Sequence, residues 1–269
     1  MKSLIVIPTY NERDNISELI ADVLQVVPTI DLVIVDDNSP DGTGQLLDEI
    51  AASDPRVHVI HRPGKLGLGT AYVRGFQYAI EHGYDLVFEM DADYSHDPKY
   101  LPSILEAAND ADLVIGSRYI KGGGTPNWSP LRKFVSGGGN TFARLVLGIP
   151  THDCTGGYRC YRTAGLRTLD LDKIRAQGYA FQVEMAYVFW KRHLRVREVP
   201  IIFMDRRVGK SKMSRKIFVE GFLWVMRTRF RGDPAVTASP PAPPVPMYRP
   251  DRPAIVAESD PKSAASQSH

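Results

Sequence analysis

The chain has 269 residues, of which 43% are hydrophobic, and a formal net charge of +2. The apolar fraction is sufficient for a folded core, whereas the near-neutral charge argues against a protein that binds nucleic acid in bulk. Two cysteines, Cys154 and Cys160, indicate no disulfide framework and fit a reducing compartment. The first apolar run, Leu4 to Ile7, is too short for a signal-peptide core, and no apolar stretch reaches the ~20 residues that span a bilayer.

In the first 116 residues, short apolar runs alternate with longer segments of helical character. The runs are rich in β-branched residues, and segments with apolar positions at helical spacing separate them. This alternation predicts an α/β fold with a mostly parallel, Rossmann-like central sheet and helices on both faces. The predicted strands cover residues 3–9, 31–35, 57–60, 85–90 and 112–116. Four helices are predicted between and after them. The first covers 14–27, the second ends near 52, the third ends near 82, and the fourth covers 98–109.

Polar residues follow the first two predicted strands, where open α/β sheets bind their ligands. Tyr10, Asn11 and Glu12 follow the first strand, although Asn11 also suits the N-cap of the next helix. Asp37 follows the second strand, where a carboxylate accepts hydrogen bonds from a ribose or a base. We therefore assign Asp37 to a ligand and Asp41 to the start of the next helix.

A glycine-rich segment, 64–71, precedes the third predicted helix. Its Gly-Lys-Leu-Gly-Leu-Gly spacing invites comparison with dinucleotide-binding loops, but it follows the third strand rather than the first. We interpret it as a tight turn in which the backbone approaches another element closely. A diphosphate at the N-terminus of the following helix is not needed to explain it.

The fourth predicted strand ends in two carboxylates, Asp91 and Asp93, separated by Ala92. In an extended chain, residues i and i+2 point to the same side, so both acids would face one point beyond the strand. Two hard oxygen donors there suit Mg²⁺ or Mn²⁺, a metal that is commonly shared with a substrate phosphate. The alternative is a solvated pair of acids before a helix that begins at Pro98.

The pattern changes after Arg118. A predicted helix over 131–147 contains three successive glycines at 137–139, each of which weakens a helix by roughly 1 kcal/mol relative to alanine. The three glycines predict either that another group approaches the backbone of this helix closely or that the helix bends. Arg132 and Ser136 lie four residues apart on one face of this helix, and with Arg118 they favour an anion site. The alternative is a surface arginine beside a small spacer.

An aromatic helix and a basic loop follow. The helix is predicted over 180–193, with Glu184 on its polar side, and a further strand over 197–203. Arg206 and Lys212 in the basic loop suit a clamp for a diphosphate leaving group. A solvated loop or a membrane-surface patch would have the same composition.

The end of the chain divides into an apolar, basic segment and a proline-rich tail. Residues 217–230 are typical of an amphipathic interfacial helix, too short to cross a membrane, although a core helix with basic ends has a similar pattern. Proline, serine and alanine are frequent from residue 232 onward. The sequence therefore predicts one catalytic domain, 1–231, and a disordered tail, 232–269.

This combination suits the transfer of a group from a nucleotide diphosphate carrier. A metal ion on the acid pair would neutralise the departing diphosphate, and Arg206 and Lys212 would hold its charge. The second anion site indicates an anionic acceptor. A phosphate acceptor needs little help from a general base because its second pKa is ≈ 6. Asp153 is the candidate if a base is required.

Several segments together resemble a known family. Residues 7–12, Ile-Pro-Thr-Tyr-Asn-Glu, then 35–43, Val-Asp-Asp-Asn-Ser-Pro-Asp-Gly-Thr, and then 90–93, Met-Asp-Ala-Asp, occur in the order and spacing of inverting family 2 glycosyltransferases of the GT-A fold. Three further segments, 116–118, 153–159 and 209–212, restrict the resemblance to a smaller group within this family. Over about residues 1–230 the chain resembles the dolichol-phosphate or polyprenol-phosphate mannose synthases, and in particular the actinobacterial polyprenol monophosphomannose synthases.

The resemblance implies that mannose passes from GDP-mannose to a polyprenyl phosphate with inversion at the anomeric carbon. It also implies Mg²⁺ or Mn²⁺ as cofactor and a peripheral position at the cytoplasmic face of a membrane, with an interfacial helix or a separate membrane-anchoring protein. No nucleic acid is expected as a partner. By motif, catalysis and metal binding fall to Asp91 and Asp93, and the acceptor phosphate to Arg118, Arg132 and Ser136. The donor residues implied are Pro8, Tyr10, Glu12, Val35, Asp37, Asp91, Ala92, Asp93, Arg206 and Lys212.

The chain differs from the family pattern at one notable position, and three alternative functions are considered. Relatives often carry a metal-binding glutamine where this chain has Ser95, a weaker ligand. The nearest alternative is a sister polyprenyl-phosphate transferase that uses UDP-glucose or another nucleotide sugar. A sugar-1-phosphate nucleotidyltransferase would require a glycine-rich, basic loop after the first strand, which is lacking there. The third alternative is a non-catalytic module that binds membrane surfaces.

Overall fold

Seven strands form one sheet in the computed structural model, which describes residues 1–174, 176–204 and 215–237. Their order across the sheet is β3-β2-β1-β4-β6-β5-β7. β6 runs antiparallel to β4 and β5, and the other neighbouring strands are parallel. The strands are β1 (Ser3–Thr9), β2 (Asp31–Asp36), β3 (Val57–His61), β4 (Leu86–Glu89), β5 (Leu113–Ser117), β6 (Arg159–Arg162) and β7 (Val196–Pro200).

Helices cover both faces of this sheet, as predicted. Successive residues of β1 point to opposite faces, so that Leu4 and Val6 belong to one core and Ile5 and Ile7 to the other. The first core contains α3, α5, α6 and α7, and the second contains α1, α2 and α4. The helices are α1 (Arg13–Val26), α2 (Thr43–Ser53), α3 (Leu68–Glu81), α4 (Leu101–Ala107), α5 (Pro130–Leu147), α6 (Thr163–Leu166), α7 (Tyr179–Lys191), α8 (Arg215–Arg231) and α9 (Pro234–Thr237).

The predicted strands and helices are confirmed with small shifts at their ends, but β6 was not predicted. It is only four residues long and both of its terminal residues are arginines, so it lacks the alternation that marks a half-buried strand. Its insertion between β4 and β5 makes the sheet mixed. Because β4 and β5 both run against β6, their carboxyl ends still lie at the same edge as those of β1 and β2.

α3 packs very closely onto β1. A Cβ atom at Gly75 would overlap both Cγ atoms of Val6, so only glycine allows this spacing. Tyr72 lies about one helical turn before Gly75 and is wholly buried. The spacing therefore decides how far the Tyr72 side chain reaches toward the sheet.

The prediction that Glu184 lies on a polar side of its helix is wrong. α7 is buried on nearly every side, and Glu184 is itself buried, where it accepts a hydrogen bond from the backbone amide of Ala176 at 2.9 Å. A helix inside a core has no solvent face, and the sequence does not reveal that environment.

The packed part of the chain extends past the predicted boundary at residue 231. α8 is followed by α9, in which Ala235 is wholly buried and Asp233, just before it, is nearly so. Residues 238–269 of the predicted tail lie outside the described residues. Within the described ranges, every helix is too short or too polar to cross a membrane.

Candidate active site

The predicted donor residues of the first two strands lie together at the carboxyl edge of the sheet. Pro8 of β1 pairs in register with Val35 of β2, and Val35 is wholly buried beneath the edge. Tyr10 and Asp37 follow these strands, and the Asp37 amide donates to the Thr9 carbonyl at 3.0 Å. The backbone of Asp37 is therefore bonded to the end of β1, and 10% of its side chain is exposed.

Two further residues of this edge start the next helices. Glu12 precedes α1, and its carboxylate accepts a hydrogen bond from Asn15 Nδ2 at 3.2 Å. Asp41 accepts from the backbone amide of Thr43, the first residue of α2, at 3.0 Å and from its hydroxyl at 2.6 Å. The structural role predicted for Asp41 is confirmed.

Arg62, which sequence reasoning missed, binds Asp37. Its Nε donates to Asp37 Oδ1 at 2.5 Å, and the pair is largely buried. The same guanidinium donates to Thr70 Oγ1 at 2.8 Å and to the Gly67 carbonyl at 3.2 Å. Arg62 thus joins the tip of β2 to the segment between β3 and α3.

That segment approaches other backbone closely, as its glycines predict. A Cβ atom at Gly69 would meet the Ala176 carbonyl at 2.6 Å and the Phe181 ring at 2.9 Å. The Gly69 amide also donates to Gln177 Oε1 at 3.1 Å. The segment is therefore fixed against the beginning of α7 as well as against Asp37.

The prediction placed both acids after β4 on extended chain, but Asp93 lies within a turn and only Asp91 precedes it. β4 ends at Glu89, and a turn begins at Ala92. Tyr94 has a φ of 61°, in the left-handed region that few non-glycine residues adopt. Asp91 is partly exposed, and Asp93 is largely buried.

Three neighbours hold these acids. The hydroxyl of Tyr72 donates to Asp91 Oδ1 at 2.9 Å, and the Asp91 amide donates to His96 Nδ1 at 3.0 Å. The backbone amide of Ser95 donates to Asp93 Oδ1 at 3.0 Å. Burial, followed by the charge of Asp91, raises the pKa of Tyr72 well above its usual value, so its hydroxyl remains a donor.

The donor set at this turn fits a hard divalent cation only in part. Among the described residues no group of three or more His, Cys, Asp or Glu side chains is arranged to hold a metal. Two carboxylates nevertheless suit Mg²⁺ or Mn²⁺, which keep several positions for water and substrate oxygens. The residues therefore fit a metal that is completed by a bound diphosphate.

A buried charge lies beneath the acid pair. Glu89 is wholly buried, and burial raises its pKa to about 7 although Arg159 acts to lower it. Arg159 is also wholly buried and donates to the carbonyls of Gly156, Gln182 and Cys154 at 2.7, 2.8 and 2.9 Å. These bonds join the start of β6 to the segment before it and to α7.

Arg118, at the end of β5, is engaged by Asp153. Its Nε and Nη2 donate to the two carboxylate oxygens at 2.7 and 2.8 Å, and Nη2 also donates to Thr155 Oγ1 at 2.7 Å. Burial disfavours the charge of Asp153, but Arg118 and nearby amides lower its pKa below the usual value. A carboxylate so engaged is a poor proton acceptor, and it anchors the arginine.

An aromatic side chain connects the predicted acceptor residues. The ring of Trp128 lies 5.6 Å from the guanidinium carbon of Arg118 and 4.1 Å from that of Arg132. The hydroxyl of Tyr119, next to Arg118, lies 2.9 Å from that of Ser136. The structure thus brings Arg118, Arg132 and Ser136 to one place.

Arg132, Ser136 and Trp128 border a cavity of about 290 Å³ between α5, α7 and α8. Arg132, Ser136 and Thr155 contribute polar groups, whereas most of its lining is apolar. Gly138 and Gly139 also line it, and α5 continues unbroken through them. The apolar side chains of the lining include Val135, Phe142, Ala143, Val183, Phe222 and Val225.

Not every predicted site residue can be placed. Arg206 and Lys212 lie outside the described residues. Conversely, Arg62, Tyr72 and His96 hold predicted site residues but were missed. Arg62 directly follows β3, so its position at the ligand edge was an available signal. The contact of Tyr72 with Asp91 joins a helix to a strand tip, and nothing in the local sequence marks it.

The sequence has close relatives among lipid-dependent transferases. Residues 4–170 match the family model of glycosyl transferase family 2. Undecaprenyl-phosphate mannosyltransferase of Micrococcus luteus is 47% identical over 236 residues, which cover 86% of this chain and 97% of that protein. Polyprenol monophosphomannose synthase of Mycolicibacterium smegmatis is 44% identical over 233 residues, which cover 86% and 88%.

Solved structures with a similar fold are more distant in sequence. One is glucosyl-3-phosphoglycerate synthase of Mycobacterium tuberculosis in complex with Mn²⁺, UDP and glucosyl-3-phosphoglycerate. It matches with a TM-score of 0.59 at 17% identity, covering 85% of this chain and 79% of that one. A complex of the same synthase with Mn²⁺, UDP and phosphoglyceric acid has a TM-score of 0.60 at 16% identity, with coverage of 85% and 78%. At this identity the likeness shows the fold alone.

Proposed function

This chain belongs to glycosyl transferase family 2 and, within it, to the polyprenyl-phosphate mannosyltransferases of the GT-A fold, and we propose that it transfers mannose from GDP-mannose to a polyprenyl phosphate with inversion. One observation carries the proposal. A pair of acids suited to a metal and a buried-arginine site beside an apolar cavity occur at the same edge of one sheet. This juxtaposition suits a nucleotide sugar on one side and a lipid phosphate on the other.

On the donor side, the nucleoside lies across the tips of β1 and β2, against Pro8, Tyr10, Glu12, Val35 and Asp37. The diphosphate lies at Asp91, Ala92 and Asp93. Asp91 and Asp93 would hold a divalent metal, which would supply positive charge opposite the nucleoside diphosphate leaving group. The Tyr72 hydroxyl and the Ser95 amide each donate to one carboxylate oxygen of this pair and so help to orient the two acids.

On the acceptor side, Arg118, Arg132 and Ser136 hold the phosphate. An oxygen of that phosphate attacks the anomeric carbon on the face opposite the departing diphosphate, so that one C–O bond forms while the other breaks and the configuration inverts. A phosphate with a second pKa of ≈ 6 is already ionised at neutral pH and needs no base. The bonds that hold Asp153 agree with this, because they leave it no role in proton transfer.

The polyprenyl chain occupies the apolar cavity and continues into a membrane surface, which this protein meets from one side. Exposed apolar side chains on α5 and α8 support this arrangement, since both helices line the cavity. Leu131 and Phe134 of α5 are 72% and 78% exposed, and Leu223 and Phe230 of α8 are 58% and 79% exposed. Such side chains are favoured at the boundary between head groups and acyl chains.

Replacing Tyr72 with phenylalanine should weaken metal activation about tenfold, the usual effect of losing a residue that orients a metal ligand. The ring, stacked on Phe181 at 5.9 Å, would remain. The concentration of Mn²⁺ that gives half-maximal transfer measures the effect. Tyr84→Phe is the control, because that hydroxyl donates to Asp31 at the opposite end of the sheet. Equal metal requirements in both variants would show that Tyr72 does not position Asp91.

Replacing Gly138 with leucine should raise the apparent KM for a long-chain polyprenyl phosphate about tenfold, because it excludes roughly two methylene groups from the cavity. A short-chain prenyl phosphate should be affected less. Gly137→Leu is the matched control, since Gly137 does not line the cavity and a Cβ at either glycine meets open space. Identical kinetics for the two variants would contradict a lipid site in this cavity.

The proposal is tested by incubating the full chain with polyprenyl phosphate, Mg²⁺ or Mn²⁺, and either GDP-mannose or UDP-glucose. Mass spectrometry of the lipid fraction should detect mannosyl phosphopolyprenol, together with released GDP. Consumption of UDP-glucose alone would replace the mannose assignment. Release of pyrophosphate instead of a nucleoside diphosphate would indicate a nucleotidyltransferase.

A further inference from the structure

The mechanism above gives no role to Lys65, an exposed residue in the segment between β3 and α3. Its Nζ atom lies over the ring of Tyr10, 4.4 Å from the centroid. Tyr10 is one of the residues assigned to the nucleoside. Because the Lys65 side chain is exposed, its contact with the ring is weak, and a ligand that stacks on the ring displaces it readily.

The segment that carries Lys65 is fixed on both sides. Arg62 bonds to the Gly67 carbonyl and to Thr70, and Gln177 accepts from the Gly69 amide. Arg62 is the same residue that binds Asp37. The backbone that carries Lys65 is therefore connected to Asp37 through Arg62, while the Lys65 side chain lies over Tyr10.

The strand order places Lys65 on the nucleoside side of the site. β3 and β2 lie on one side of β1, whereas β4, which leads to the acid pair, lies on the other. The segment's anchors to the sheet run to the tip of β2, and Lys65 itself lies over the residue that follows β1. Its position suits contact with a base more closely than contact with the diphosphate at Asp91 and Asp93.

Lys65 and Asp37, at this edge of the sheet, have complementary hydrogen-bonding capacity. The ammonium of Lys65 only donates, and the carboxylate of Asp37 only accepts. Guanine presents two adjacent acceptors, O6 and N7, on one edge and N–H donors on its pairing edge. Adenine places a donor beside N7, which repels an ammonium, and uracil has no comparable pair of acceptors.

We propose that Lys65 is a specificity-determining residue that selects a guanine nucleotide by donating to O6 and N7, while Asp37 accepts from the opposite edge; this inference rests on the proposed function. When guanine stacks on Tyr10, the ammonium moves from the face of the ring to the edge of the base. Arg62 then acts as a positioning residue, because it orients Asp37 and anchors the segment that carries Lys65.

The test measures binding of nucleoside monophosphates to the full chain by calorimetry in EDTA, so that neither metal nor transfer contributes. The probes are GMP, UMP and 7-deaza-GMP, which lacks the N7 acceptor. Lys65→Met should raise the Kd for GMP about tenfold and leave the Kd for UMP unchanged, as expected for a lost base contact. In wild type, 7-deaza-GMP should bind more weakly than GMP, and this difference should vanish in Lys65→Met. Lys65→Arg should retain the preference for GMP.

Lys2→Met is the matched control, because Lys2 also lies over a tyrosine ring, 3.9 Å from the centroid of Tyr84, but before β1 at the far end of the sheet. It should bind every probe as wild type does. An equal loss of GMP and UMP affinity in Lys65→Met would show a general charge effect and overturn the inference. An unchanged preference for GMP in Lys65→Met would overturn it and leave the proposed function intact. A wild-type preference for UMP would instead overturn the donor assignment itself.

Discussion

Replacing Asp93 with asparagine should reduce mannose transfer by roughly 10³-fold, because a bound metal contributes several kcal/mol to charge stabilisation and each ~1.4 kcal/mol is a factor of ten. Asparagine keeps the size of the side chain and can still accept from the Ser95 amide, a bond of 3.0 Å in the native chain. The fold should therefore persist. Initial rates of lipid-linked mannose formation measure the effect, and Asp91→Asn should behave similarly.

Asp97→Asn serves as the matched control for this change. Asp97 lies four residues beyond Asp93 and accepts from the Lys99 amide at 3.0 Å. It is also paired with the Lys99 ammonium at 2.6 Å, an exposed pair that contributes little. Its replacement should leave transfer close to normal. Retained turnover by Asp93→Asn, or by wild type in excess EDTA, would remove the metal from the mechanism.

Replacing Asp153 with asparagine should lower the free energy of unfolding by about 3–5 kcal/mol, the usual effect of removing one partner of a buried ion pair. Asp153 is wholly buried and accepts from the amides of Arg118, Thr155 and Gly156 in addition to the guanidinium. An amide NH₂ at this position would face donors, and Arg118 would keep an uncompensated charge. Equilibrium unfolding in urea at neutral pH measures the loss.

The contribution of Asp153 to the free energy of unfolding should decrease at acidic pH. The folded state lowers the pKa of this carboxyl below its ordinary value of 3.8. The stability that it contributes is therefore complete above about pH 4 and is lost as the pH falls through the folded-state pKa. The difference in unfolding free energy between wild type and Asp153→Asn should narrow in that acidic range.

An exposed ion pair provides the comparison. Arg56 and Asp54 lie 2.6 Å apart, with side chains 37% and 23% exposed. Because solvent screens such a pair, Asp54→Asn should reduce the unfolding free energy by less than about 1 kcal/mol. If Asp153→Asn were no more destabilising than Asp54→Asn, the buried pair would not be the anchor described above.

The architecture was largely predictable because each buried parallel strand is a continuous apolar run that ends in polar residues. The exception is β6, which can be identified as a strand only from its pairing with β4 and β5. Arg159 at its start is buried because carbonyl groups from Cys154, Gly156 and Gln182 receive its donors. Such pairing depends on tertiary contacts, which hydrophobic periodicity does not encode.

The site was predictable in its residues more than in its geometry. The sequence places Asp91 and Asp93 beyond a strand, but the turn that follows depends on the unusual backbone of Tyr94. It also marks Arg118 as a candidate anion ligand, without revealing the carboxylate 35 residues later that binds it. Local patterns identify which side chains reach the edge of the sheet, whereas the partners that orient them come from distant parts of the chain.

The close fit between Gly75 and Val6 has a consequence for mutational tolerance. An alanine in a helix normally adds stability relative to glycine, by roughly 1 kcal/mol. At position 75 the added methyl group would push α3 away from β1 and draw the Tyr72 hydroxyl away from Asp91. In a saturation-mutagenesis screen, this core position should therefore be as intolerant as a ligand-binding residue, although it touches no substrate.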